Sequence, residues 1–155
     1  MESTQRLTIF LIVALPISVW DLACRRIPDH LVAAGLLLQT ANCLLSPTEL
    51  PSAVAGAASG FALLWALRRL VRRGMGLGDV KFAGFVGSIV GVRDLCLALF
   101  VASAAALVVA LAARFVNRDG QSGKIPFGPF LTLGGLTPLL APHLDWAGFA
   151  VGGMQ

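Results

Sequence analysis

Residues 7–24 read LTIFLIVALPISVWDLAC, and this stretch decides the class of fold. It is long enough to cross a bilayer, for which about 17 to 25 largely apolar residues suffice. Yet it carries a carboxylate, Asp21, just ahead of Arg25 and Arg26. Similarly apolar stretches follow along the whole chain. Of its 155 residues, 57% are hydrophobic and 13% charged, and the mean hydropathy is +0.82. Soluble domains carry about 25% charged residues, so this chain lacks the polar surface that water requires. The same figures exclude disorder and a coiled coil. Twelve Lys and Arg are too few for a phosphate-binding face, so no nucleic-acid partner is expected. The chain reads as an all-α integral membrane protein, one membrane-embedded domain over residues 1–155.

Further spans follow at Leu31–Leu45, Leu50–Leu67, Asp79–Val92, Leu95–Ala113 and Ile125–Pro142, the last extensible to Val151. That makes about six transmembrane helices. Gly56 and Gly60 stand in the GxxxG spacing that lets helices pack closely. The opening Met1-Glu2-Ser3 lacks the basic segment of a cleavable signal. Ten of the 12 basic residues fall in the connections after spans one, three and five. They are Arg25 and Arg26; Arg68, Arg69, Arg72, Arg73 and Lys81; and Arg114, Arg118 and Lys124. The positive-inside rule then places odd-numbered connections in the cytoplasm and both termini outside. Topology alone explains most of these cations.

Cys24, Cys43 and Cys96 include no CxxC pair, which argues against a disulfide framework and a cysteine zinc site. They read as small apolar residues within helices. His30 and His143 lie far apart, so no metal and no cofactor are expected.

Of the eight acids, Glu2, Glu49, Asp94, Asp119 and Asp145 fall in connections or tails, and Asp29 after Ile27-Pro28 reads as the cap of the second helix. Asp21 and Asp79 differ. A carboxylate at membrane depth is costly and usually faces the protein interior for a purpose. The topology puts both at a similar depth near the cytoplasmic side. Two carboxylates that meet across a water share one proton. The ionised one then deprotonates water while the protonated one polarises a peptide carbonyl. Gly76 and Gly78 remove side chains just ahead of Asp79, so an extended substrate could lie there. Taken alone, Gly-x-Gly-Asp is a weak signal, and a flexible loop or a helix cap explains it as well.

Three blocks together are more specific: Trp20-Asp21 with Arg26-Ile27-Pro28-Asp29; Gly76-Leu77-Gly78-Asp79-Val80-Lys81; and Ile125-Pro126-Phe127-Gly128-Pro129-Phe130. In this order and rough spacing, the chain resembles the type IV prepilin peptidase family, aspartic intramembrane proteases of the Gly-x-Gly-Asp kind. The resemblance implies Asp21 and Asp79 as the catalytic pair. It implies as substrates the precursors of prepilins and pseudopilins, cut on the cytoplasmic side ahead of their apolar segment in the bacterial inner membrane. Larger members carry an N-terminal extension with paired CxxC motifs and N-methylate the new amino terminus. The present chain has no CxxC and resembles the short, peptidase-only form of Flp-type (tight-adherence) pilus systems, so no S-adenosylmethionine site is expected.

Substrate contacts are assigned to Gly76, Gly78, Lys81, Pro126, Phe127, Gly128 and Pro129. Two of these assignments stay open. Lys81 either holds the Asp79 carboxylate ionised or snorkels to the interface. Pro126 and Pro129 either line a cavity beside the aspartates or simply kink a helix. Membrane lipids are the other expected partners, with acidic headgroups facing the arginines.

Two rival functions carry weaker support. Ala58-Ser59-Gly60 resembles part of a serine-protease nucleophile site with His143 as base, but Ala57 stands where that motif needs Gly. A small transporter or structural membrane subunit would place its acids near mid-membrane, often with mirrored repeats. Here both acids lie at one face and no repeat is visible.

Overall fold

The computed structural model describes residues 3–70, 75–116 and 126–140. Helix α1 runs Ser3–Cys24, α2 Asp29–Leu45, α3 Leu50–Leu70, α4 Leu77–Val116 and α5 Gly128–Leu140, with a short 3-10 turn at Pro47–Glu49. The described residues contain no strand. Three stretches are long and apolar enough to cross a membrane: Thr4–Cys24, Pro47–Leu70 and Leu77–Ala113. Helix α5 is apolar but shorter, at 13 residues.

The surface of α1 explains the composition. Phe10, Val13, Ala14, Ile17, Ser18 and Asp21 are buried at the 3.6-residue spacing of one helix face. The opposite face, with Ile12, Leu15, Val19 and Leu22, is exposed and equally apolar. A helix apolar on both its core and outer faces suits hydrocarbon surroundings, not water. Lipid tails are as apolar as Leu, so helices there associate through close packing and interhelical hydrogen bonds. Small residues therefore line the contacts.

Helix α4 is not one straight rod. Gly91 has φ 81° and ψ 172° in its middle, a backbone open to glycine at little cost. Adjacent residues of α5 show where the two halves lie. A Cβ on Gly134 would meet Ala98 and Ala102, whereas one on Gly135 would meet Val86 and Phe10. Along a straight helix Val86 and Ala98 would stand about 18 Å apart, too far for neighbouring residues to touch both. The chain therefore folds back at Gly91. Counted this way, the described residues form six helical segments: α1, α2, α3, the two halves of α4, and α5.

The first half of α4 is the central pillar, and residues 82–90 are all buried. Helix α3 lies antiparallel against it through Gly56 and Gly60. A Cβ at Gly56 would collide with the Gly87 carbonyl, and one at Gly60 with that of Ala83. On another side Gly35 of α2 faces Val13 and Phe85, and Phe10, Phe85 and Phe82 stack with centroids 6.2 and 6.1 Å apart. Gln39 of α2 donates to the Ser88 carbonyl at 3.2 Å. These contacts give the bundle two distinct ends. One gathers the C-termini of α1 and α3 and the N-termini of α4 and α5. The other holds the Arg6–Glu49 ion pair and the turn at Gly91 beside Ser52.

Two sequence expectations change. Asp29 does not cap α2: the cap position is Pro28, with no side-chain hydrogen bond. Being the first helical residue, Asp29 instead directs its carboxylate to Lys81 of α4, 2.8 Å away. Pro126 and Pro129 do not kink a helix, because α5 begins between them at Gly128. Proline is tolerated in a first turn, where the missing N–H would have no intrahelical partner. All three cysteines lie in helices, Cys43 buried and Cys24 and Cys96 exposed. Arg72, Arg73, Arg118, Lys124, Ile125, His143 and the extension to Val151 lie outside the described residues.

Candidate active site

Asp21 closes the buried face of α1 and is only 3% exposed. Its Oδ2 accepts the N–H of Gly128 at 2.8 Å. Gly128 is the first residue of α5, where amides have no intrahelical acceptor and the helix dipole is positive. The start of α5 thus supplies this buried carboxylate with a donor. Pro129, at the second position, has no N–H to offer. A Cβ on Gly128 would stand 2.8 Å from Asp21 Oδ2 and 3.2 Å from its Cβ, so the approach depends on glycine. Pro126 and Phe127 lead into this turn, both half-buried, and the Phe127 carbonyl accepts the N–H groups of Phe130 and Leu131, each at 3.1 Å.

Asp79 lies in the first turn of α4. Its Oδ2 accepts the Gly76 N–H at 3.0 Å, the reach from third position back to the cap that forms half of a capping box. Asp79 therefore does serve as a helix cap. It is also half-buried and lies at the same end of the bundle as Asp21. The cap fixes the carboxylate at the start of α4.

The two glycines before Asp79 play different parts. Gly76 is exposed and donates to Asp79. Gly78 has no free side, since a Cβ there would lie 2.7 Å from the Ile27 Cβ and 3.3 Å from its carbonyl oxygen. It locks the α1–α2 connection onto the start of α4. Lys81 lies on a different side of the helix from Asp79, because residues two apart do not share a face. Its Nζ pairs with Asp29, so of the two readings for Lys81, neighbour to the Asp79 carboxylate is not the one realised.

Sequence reasoning missed Ser18 and Thr132. Both are buried, and their hydroxyl oxygens lie 2.6 Å apart across the α1–α5 contact. The available signal was positional: Ser18 precedes Asp21 by one turn, and Thr132 follows Gly128 by one turn, in otherwise apolar helices. Ser59 gives the serine rival no support. Its Oγ bonds the carbonyls of Ala55 at 2.8 Å and Gly56 at 3.0 Å within its own helix. Among the described residues no three His, Cys, Asp or Glu gather as metal ligands.

Comparison with known proteins identifies a family. A family model described as "Type IV leader peptidase family" matches residues 8–111, a range containing both aspartates and the Gly76–Lys81 run. The prepilin leader peptidase/N-methyltransferase of Pseudomonas putida is 33% identical over 132 residues, 81% of this chain and 46% of that protein. The protein of the same description from Bacillus subtilis (strain 168) is 27% identical over 133 residues, covering 85% and 54%. That from Escherichia coli (strain K12) is 29% identical over 152 residues, covering 94% and 66%. The chain spans about half the length of the first two of these and two thirds of the third. No solved structure matches.

Proposed function

The chain belongs to the type IV leader peptidase family, and from that premise we propose that it is a membrane aspartic endopeptidase removing the leader of prepilin or pseudopilin precursors. The observation that carries this reading is that Asp21 and Asp79 lie at the same end of the bundle, each held by a backbone amide. The pair shares a proton. The ionised carboxylate takes a proton from water as that water attacks the scissile carbonyl. The protonated one donates to the carbonyl oxygen. On collapse of the tetrahedral intermediate the first carboxylate passes the proton taken from water to the departing amine, and a hydroxyl of the intermediate returns a proton to the second carboxylate. Gly76, beside the half-buried Asp79, is open for an extended strand; Phe127, Pro126 and Pro129 border Asp21 on the other side.

The reaction is assigned to the cytoplasmic face of the bacterial inner membrane. Arg25, Arg26, Arg68 and Arg69 all lie at the aspartate end, and short cytoplasmic loops are the ones rich in such residues. Exposed Trp20 and Trp65 lie near the same end, with Arg69 over the Trp65 ring at 5.1 Å, as in an interfacial aromatic belt. Six crossings with both termini outside follow from this orientation. Lipids surround the exposed apolar faces. The Flp-type pilus system remains our choice of setting.

Co-expression with a prepilin of the same cell, followed on a gel, tests the activity. A precursor shortened by its leader only when this chain is present supports the reading. An unprocessed precursor, or proton transport without cleavage, would move the protein to the transporter or structural class.

A further inference from the structure

The contact between α1 and α5 has two polar rungs on one face. Asp21 and Gly128 form the first. One turn deeper, Ser18 and Thr132 form the second, 8% and 5% exposed, with oxygens 2.6 Å apart. Each hydroxyl also reaches a carbonyl of its own helix: Ser18 that of Ala14 at 2.8 Å, and Thr132 that of Gly128 at 3.1 Å. Two hydroxyl protons face three contacts; oxygens 2.6 Å apart need a proton between them, so one hydroxyl donates across to the other helix and gives up its own carbonyl. Deeper still, the Phe10 ring packs against Gly135, a contact without directional preference. The hydroxyl pair is thus what sets the register of α5 on α1 beside the site. It touches the same residue, Gly128, whose amide holds Asp21.

We propose that Ser18 and Thr132 are positioning residues for the peptidase reaction, clamping the first turn of α5 so that the Gly128 amide meets Asp21. The inference rests on the aspartic peptidase reading above. Neither hydroxyl contacts substrate; each acts through Gly128. Loss of either should loosen the donor on Asp21, and small misplacements of this kind cost roughly tenfold or more in rate.

The test uses the full chain in detergent or proteoliposomes and a purified prepilin from the same cell, with kcat and KM measured per folded enzyme. Ser18→Ala and Thr132→Val are each expected to lower kcat about tenfold or more with KM within about twofold. Thr132→Ser, which keeps the hydroxyl, should restore kcat. The double variant should be no worse than the poorer single one, because both remove the same rung. Thr40→Val is the control: Thr40 bonds the Leu36 carbonyl of its own helix at 2.7 Å and is exposed, so kcat should not change. Full kcat in Thr132→Val, or failure of Thr132→Ser to restore it, overturns the proposal. So does a loss that vanishes once corrected for folded enzyme. If the wild-type chain itself cuts no prepilin, the peptidase reading falls and the positioning role falls with it. If the wild type cuts and the variants equal it, only the positioning role is lost.

Discussion

Glycine at position 128 has a hydrogen where any other residue has a carbon, and that carbon would lie 2.8 Å from Asp21 Oδ2. Gly128→Ala must therefore push α5 and its amide away from the carboxylate. Cleavage is expected to fall at least roughly tenfold while the protein remains folded, as measured by initial rates and thermal unfolding of the same preparation. Lys81 should behave differently. Its partner Asp29 is 68% exposed in its side chain, and exposed ion pairs contribute about 0–1 kcal/mol. Lys81→Met should lower thermal stability by no more than that, with cleavage within about threefold of wild type. A near-complete loss of cleavage would make Lys81 a substrate contact. At this scale the sequence marked Asp21 and Asp79 by simple cost, as acids where apolar residues belong. It could not show the hydrogen bond on Asp21, because Gly128 is 107 residues away and no local pattern links them. The structure also assigns the glycines before Asp79 separately, one to a cap and one to Ile27.

Among the elements, α4 repays the closest reading. Its first half is buried on all sides and reaches α3 through backbone contacts, so its glycines are unequal. A Cβ at Gly87 would run into the Gly56 carbonyl, whereas one at Gly84 meets nothing nearer than 3.4 Å. Gly87→Ala should lower the yield of folded protein in detergent, and Gly84→Ala should be near neutral, as size-exclusion profiles and melting curves would register. Gly91→Ala places a side chain at φ 81° and ψ 172°, an essentially glycine-only conformation that costs roughly 1–3 kcal/mol. The sequence divided this region into two short spans, because Gly91 and the charged pair Arg93-Asp94 interrupt the apolar run. The interruption proves to be a reversal between two helical halves at Gly91, a geometry set by one dihedral pair that composition cannot express. The third block was legible as the start of a span, but whether its prolines kinked the helix or opened it was not, since proline suits a kink and a first turn equally.

For the whole molecule, the two ends differ chemically, and in the proposed topology they face opposite sides of the membrane. With the three native cysteines replaced by Ser, a single Cys at Arg69 should react with an impermeant maleimide only in inverted vesicles. One at Arg93 should react in intact cells. Labelling of both from the same side would refute the six-crossing topology. The class of fold was legible from charge scarcity alone. The packing order of the helices was not, because lipid-facing and core-facing residues are equally apolar and leave no amphipathic stripe to read. The central claim is that Asp21 and Asp79 together activate water, and prepilin processing by Asp21→Asn and Asp79→Asn tests it most directly. Asparagine retains an oxygen for the Gly128 and Gly76 amides, so folding should persist, while the lost acid–base chemistry should slow cleavage by roughly 10²- to 10⁴-fold in each variant. Wild-type processing by either variant would contradict the claim.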